Sequence, residues 1–292
     1  RSIATNYAAY CNHCIYFSDA FCAMLDDMLS GAEQPRQAAE EESLFYKINF
    51  RLGRLYEVMQ ENKNSITKEQ SDLQELISDI SHQVKTPIAN LKIINSTLME
   101  QDVPAQKQKE FLAAQAGQLD KLDFLMQAMI KTSRLEAGVI SLEKKEQPIY
   151  YTLAAALGGI LLGAEKKQID VQVDCPEHLE ACHDRKWTGE ALFNILDNAV
   201  KYTPTGGQIH VQVEAWEMYL KIDIADTGIG IPEQHQGTIF KRFYREDAVH
   251  DVEGIGIGLY LAREIISLLG GYIRVASEVG KGSVFSVFLL RK

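Results

Sequence analysis

At 292 residues the chain is long enough for two or three domains, each with a core of its own. A hydrophobic share of 46% and a charged share of 24% are those of an ordinary globular protein. The net charge of −10 leaves no basic excess to meet a phosphate backbone, which excludes nucleic acid as a partner.

Five cysteines, an odd number, argue against a disulfide framework and for a reducing compartment. "CNHC" at residues 11–14 has the spacing of half a zinc site, but only Cys22 accompanies it, and we read the thiols as incidental. The most apolar run, residues 153–164, is about 12 residues where a bilayer needs roughly 20, so it predicts a buried helix. The chain begins at Arg1 without a methionine, from which we expect it to be the tail of a longer protein with a sensor or membrane segment upstream.

Residues 1–43 are helix-prone at first, then broken by Gly31 and Pro35, and carry no motif. A long register follows. Phe45, Leu52, Met59, Ile66, Leu73, Ile80, Pro87 and Ile94 are seven apart, and all but the proline are apolar. Their companions lie three residues on at first (Ile48, Leu55) and four residues on later (Ile77, Val84, Leu91, Leu98). This is a coiled-coil signal with a stutter-like change of packing near residues 73–80. Pro104 is suited to start a second helix, in which Leu112, Leu119, Leu122, Met126 and Met129 form one face. Two such helices on a short loop make an antiparallel hairpin with an apolar face left over. We expect two chains to join as a homodimeric four-helix bundle; a single chain covering that face with its other domain is the alternative.

From about Glu146 the pattern turns to mixed helix and strand. Ile209, Val211 and Val213 alternate, as do Leu220, Ile222 and Ile224, and residues 283–290 end the chain as a third strand. Helices are predicted over 185–200 and 259–269, giving an α+β sandwich.

Four segments in this half carry chemistry. In "EALFNILDNAVKYT", Asn194, Asn198 and Lys201 share a helix face, where two amides and an ammonium can hold a metal and phosphates; taken alone, the face reads equally as a solvated one. "DTGIGI" ends a strand at Asp226, and Gly228 and Gly230 would let a flat ring approach the backbone, although a simple turn fits as well. "IFKRFYR" offers Arg242 and Arg245 to an anion, with Arg245 the better phosphate clamp. "GIGIGL" sets Gly254, Gly256 and Gly258 against a helix start, where free N–H groups favour an anion. It is not the dinucleotide fingerprint, since position 259 is Leu and no strand precedes it.

These segments follow "SHQVKTP" (residues 81–87), and together, in this order, they closely resemble the boxes of the sensor histidine kinases of two-component systems over residues 71–290. "SHQVKTP" resembles the phosphoacceptor box, and the other four resemble the N, G1, F and G2 boxes of a Bergerat-type ATP-binding fold. The resemblance implies a coiled-coil linker over residues 44–70, a dimerisation and phosphotransfer hairpin over 71–141 and a catalytic domain over 142–292. It further implies that Asn198 ligates Mg²⁺ and that Asn194, Lys201 and Arg245 lie at the phosphates. Tyr202 would lie against adenine, Asp226 would accept from the adenine amine, and residues 246–253 would form a lid over the ATP. His82 would be the nucleophile and a response regulator receiver domain the partner. The protein would then be the cytoplasmic part of a membrane-anchored bacterial kinase.

In the heptad frame His82 falls at f, clear of the seam, which suits attack on a γ-phosphate. Pro87 has no N–H for the carbonyl of Gln83, so the helix should weaken one turn after the nucleophile. Gln83 stands where the family usually has an acid, which predicts slower autophosphorylation. Thr86 stands where the family orients a hydrolytic water, which predicts phosphatase activity. Two other readings remain: an ATP hydrolase of the same fold, for which the usual glutamate is replaced by Asn194, and a non-catalytic dimeric scaffold.

Overall fold

A computed structural model describes residues 21–23, 25–28, 44–100, 103–136, 141–246, 254 and 256–291. The "CNHC" segment and the expected lid, apart from Glu246, lie outside the described residues. The chain divides into two units, residues 1–78 and 79–292.

The predicted register becomes one helix, α1 (Leu44–Glu100), which runs unbroken through Pro87 and crosses the division. In the first unit its heptad residues Leu55, Met59, Ile66 and Leu73 stay exposed. In the second unit Ile80, Val84, Leu91, Ile94 and Leu98 are half-buried and Pro87 is buried. The change in burial falls where the companion spacing switches from three to four. Helix α2 (Ala105–Glu136) follows Pro104, whose carbonyl accepts from Gln108 N at 3.0 Å.

Burial along α2 splits the predicted face. Leu112, Leu119 and Met126 are exposed. Leu125, Ala128 and Leu135, spaced three and seven apart, are buried in the core that continues into the C-terminal region. On the predicted face itself, Leu122 and Met129 are half-buried, Met129 against that core, while the other three residues stay exposed.

The C-terminal region is built from β1 (Lys145–Pro148), α3 (Ile149–Lys166), β2 (Asp170–Asp174), β3 (Glu180–His183), α4 (Arg185–Tyr202), β4 (Gln208–Ala215), β5 (Tyr219–Asp226), a 3-10 turn at Glu233–His235, α5 (Gly258–Leu268), β6 (Tyr272–Glu278) and β7 (Gly282–Leu290). Five strands form one sheet in the order β2-β4-β5-β7-β6, with β2 parallel to β4 and the rest antiparallel; β1 and β3 form a separate pair. The alternation read from the sequence sends Leu220, Ile222 and Ile224 to the helical side, where all three are fully buried with Leu192, Ile195, Ile265 and Ile266. The other sheet face carries an aromatic ladder: Tyr272 stacks on Phe288 at 4.4 Å, with the Arg274 guanidinium over Tyr272.

The apolar run 153–164 is amphipathic within α3 rather than wholly buried. Leu153, Ala156, Ile160 and Ala164 face the core, while Leu162 is 83% exposed. Helix α4 starts at Asp184, whose side chain accepts from Trp187 N at 3.1 Å. It ends against Lys167, whose ammonium donates to the carbonyls of Val200, Lys201 and Thr203. That cap fixes the end of α4 where Lys201 and Tyr202 sit. Among the described residues no helix is long and apolar enough to cross a membrane.

Candidate functional site

On α1, His82 and Thr86 are exposed one turn apart, Gln83 is half-buried and Pro87 is buried on the inward side. The Thr86 hydroxyl donates to the His82 carbonyl at 3.4 Å, a long bond. His82 thus stands away from the packed side, as its heptad position predicts.

A pocket opens in the C-terminal region between α4, the end of β5 and the turn into α5. Asn194, Asn198, Lys201 and Tyr202 line it from α4 because they lie three or four residues apart, away from the buried Leu192, Ile195 and Leu196. Asp226, Gly230, Arg245, Gly254, Gly256 and Gly258 complete the set brought together from the sequence.

Asp226 is the buried acid at the inner end. Its Oδ1 accepts from Gly228 N at 2.8 Å and Ser283 N at 3.3 Å, so Gly228 serves the carboxylate rather than lining the pocket. Burial pushes the Asp226 carboxyl above its ordinary value, against the pull of those two N–H groups. Burial likewise raises the Tyr202 phenol, which feels Arg245 first and then Asp197 and Glu246. Lys201 is paired with Asp197 at 2.6 Å.

Two glycines are required by geometry. Gly230 has φ 72°, and a Cβ there would overlap the Glu278 carbonyl. Gly256 has φ 79°, and a Cβ there would stand 2.6 Å from the Tyr244 carbonyl, so only glycine lets this segment lie on residues 243–244.

Arg242 is not at the pocket; its guanidinium lies 4.8 Å over the Tyr260 ring. Residues given no role in the sequence reading also line the space: Asp197, Ile229, Tyr244, Ser283 and, from α2, Phe124, together with Glu246 from the start of the expected lid. Asp197 and Tyr244 lie inside quoted segments and were within reach. Nothing in the sequence points to Phe124, because its place depends on how α2 packs.

The Asn194 carboxamide has an oxygen to offer an oxygen-preferring ion. Asn194 Nδ2 donates to the Glu190 carbonyl at 2.9 Å, which turns Oδ1 the other way. That oxygen lies 3.0 Å from where a Cβ at Gly258 would stand, so glycine keeps its approach clear.

Residues 72–138 match the family described as His Kinase A (phospho-acceptor) domain. Residues 183–292 match the family described as histidine kinase-, DNA gyrase B- and HSP90-like ATPase. Drug sensory protein A of Synechocystis sp. is 31% identical over 225 residues, covering 72% of this chain and 34% of that protein. Sensor protein SrrB of Staphylococcus aureus is 31% identical over 224 residues, covering 74% of this chain and 37% of that protein. The chain spans about a third of the length of these curated relatives. Histidine kinase ThkA, solved in complex with response regulator protein TrrA, superposes with a TM-score of 0.62 at 21% identity over 80% of this chain and 66% of that one, a likeness of fold.

Proposed function

The chain belongs to the sensor histidine kinases of two-component signalling, and from that premise we propose that it phosphorylates its own His82 with ATP and passes the phosphoryl group to an aspartate on a response regulator receiver domain. The observation that carries this reading is the pairing of an exposed imidazole on a long helix with a pocket that gathers Asn194, Asn198, Lys201, Arg245 and Asp226. A lone pair on a His82 ring nitrogen bonds to the γ-phosphorus. The bond from that phosphorus to the bridging oxygen breaks, ADP leaves with the electron pair, and the ring proton passes to water. Such transfer needs positioning and charge neutralisation more than a strong base.

Asp226 would accept from the adenine amine through Oδ2, and the carbonyl of guanine would meet the same carboxylate with repulsion. Tyr202 would lie against the base. Lys201 and Arg245 would meet phosphates, and the glycines at 254, 256 and 258 would let the backbone close on them. Asn198 would hold Mg²⁺, with Asn194 beside the phosphates; the ion supplies charge neutralisation at the triphosphate oxygens. The organisation proposed with this function is a linker over residues 44–70, a dimerising hairpin over 71–141 and a catalytic domain over 142–292. Two chains would form the bundle, and the whole would work on the cytoplasmic side of a bacterial plasma membrane, anchored upstream.

Thr86 supports a second activity at the same place. Its hydroxyl hydrogen goes to the His82 carbonyl, which leaves oxygen lone pairs to orient a water attacking the regulator's phosphoaspartate. Thr86→Ala should lose dephosphorylation and keep autophosphorylation; equal loss of both would count against that role. A Gln83 carbonyl would accept from the ring without the charge an acid brings, so Gln83→Glu should raise the initial autophosphorylation rate.

The decisive experiment is incubation with γ-labelled Mg-ATP. Acid-labile, base-stable label on the wild type and none on His82→Ala is the expected result. Rapid release of free phosphate without protein label would favour an ATP hydrolase, and nucleotide binding with neither would favour a scaffold.

A further inference from the structure

One histidine outside the pocket is tied to its wall. His235 closes the 3-10 turn after Pro232, and its backbone is fixed: His235 N donates to the Pro232 carbonyl at 2.8 Å, and its own carbonyl accepts from Thr238 N at 2.9 Å and Ile239 N at 3.0 Å. The turn is anchored to β6, since Ile231 N donates to Ser277 Oγ at 2.7 Å and Gln236 Nε2 donates to the Ser277 carbonyl at 2.8 Å. From this anchored turn, His235 Nδ1 reaches Glu246 Oε1 at 3.2 Å. A carboxylate only accepts, so Nδ1 carries the hydrogen. The same ring packs edge-on against Tyr244, with centroids 6.1 Å apart. Tyr244, Arg245 and Glu246 are consecutive, and all three line the pocket.

We infer that His235 is a positioning residue: it pins Tyr244 and Glu246 from either side of Arg245 and so fixes that guanidinium where a triphosphate would lie. This rests on the nucleotide reading above and deepens it. The opposite side of the segment is held by Gly256, whose missing side chain lets the backbone lie on residues 243–244. Positive φ at Phe243, 57°, turns the chain sharply just before the pinned residues. The local backbone bond of the pinned segment, from Tyr244 N to the Lys241 carbonyl, is long at 3.4 Å. The contacts from His235 act beside the packing of Phe243 and Tyr244 against the core in setting its direction. Because Asp226 lies elsewhere in the pocket, on β5, the effect should fall on the phosphates and spare the base.

The test measures dissociation constants of ATP and of adenosine for the full chain by calorimetry. For His235→Ala we expect ATP affinity to fall about tenfold, with adenosine within about twofold, in line with the loss of one charge-assisted hydrogen bond. His235→Asn, whose Nδ2 stands where Nδ1 does, should recover ATP affinity to within about threefold of wild type. In a Glu246→Ala background, His235→Ala should add little. Unchanged ATP affinity in His235→Ala, or equal loss for ATP and adenosine, overturns the inference while the nucleotide reading stands. A wild type that binds neither ligand overturns both.

Discussion

The helices α1 and α2 and the C-terminal sandwich handle their apolar residues in opposite ways. In the sandwich, Ile222, Ile224, Leu192 and Ile265 are sealed inside one chain. Along the helices, Leu55, Ile66, Leu73, Leu112, Leu119 and Met126 follow as regular a pattern and stay more than half exposed. Patterning alone does not distinguish a core from a surface awaiting another chain. The lesson is that the sandwich is complete as a monomer, whereas the helices are read as half of an interface.

The sharpest way to break this contrast is to open a cavity in the sealed half. Ile222→Ala should lower its unfolding free energy by about 2–5 kcal/mol in chemical denaturation, without changing self-association. The converse change, Ile66→Ala with Leu73→Ala, should leave that unfolding transition in place. It should weaken self-association by about 10–100-fold in sedimentation experiments, and an unchanged monomer fraction would refute the interface.

Charge gives a finer contrast within the sandwich. The folded carboxyl of Asp226 titrates above its unfolded value, so its contribution to stability is present below the ordinary carboxylate range and is lost as pH rises through the raised value. At neutral pH the buried carboxylate is therefore a cost to the fold. Asp226→Asn should raise the melting temperature at neutral pH by a few degrees and abolish ATP binding; a fall in melting temperature would contradict this. His183 behaves oppositely. It is fully buried between the Thr152 hydroxyl at 2.8 Å and the Ala181 carbonyl at 2.9 Å, and burial lowers its proton affinity. Its contribution is present above about pH 6.5 and is lost as pH falls toward the depressed folded value, so His183→Gln should flatten the acid limb of the stability curve. The smallest effect belongs to Lys131 and Glu190, an ion pair at 2.6 Å between α2 and α4 with both partners partly exposed. Lys131→Ala should cost less than about 1 kcal/mol.

The central strands and the pocket were legible because each rests on local pattern. Period-two alternation marked β4, β5 and β7, and helical spacing put Asn194, Asn198 and Lys201 on one face. The strands β1, β2, β3 and β6 escaped notice; "KEQP" carries no apolar alternation and "DVQVD" exposes four of its five residues, and both take their shape from the strand they pair with. Arg242 and Arg245 are three residues apart and look alike in sequence. Only the fold separates them, sending one over Tyr260 and the other to the pocket. His235 was missed for the same reason, as its partner is eleven residues on, across a reversal of the chain.

The ladder of Tyr272 and Phe288 under Arg274 has a bearing on handling the protein. A sheet lacking a second helical layer ordinarily tempts neighbouring sheets to adhere, but here planar rings roof the strands and a guanidinium keeps the roof wetted. The C-terminal region should therefore stay dispersed at high concentration when expressed apart from the helices, at least from that side.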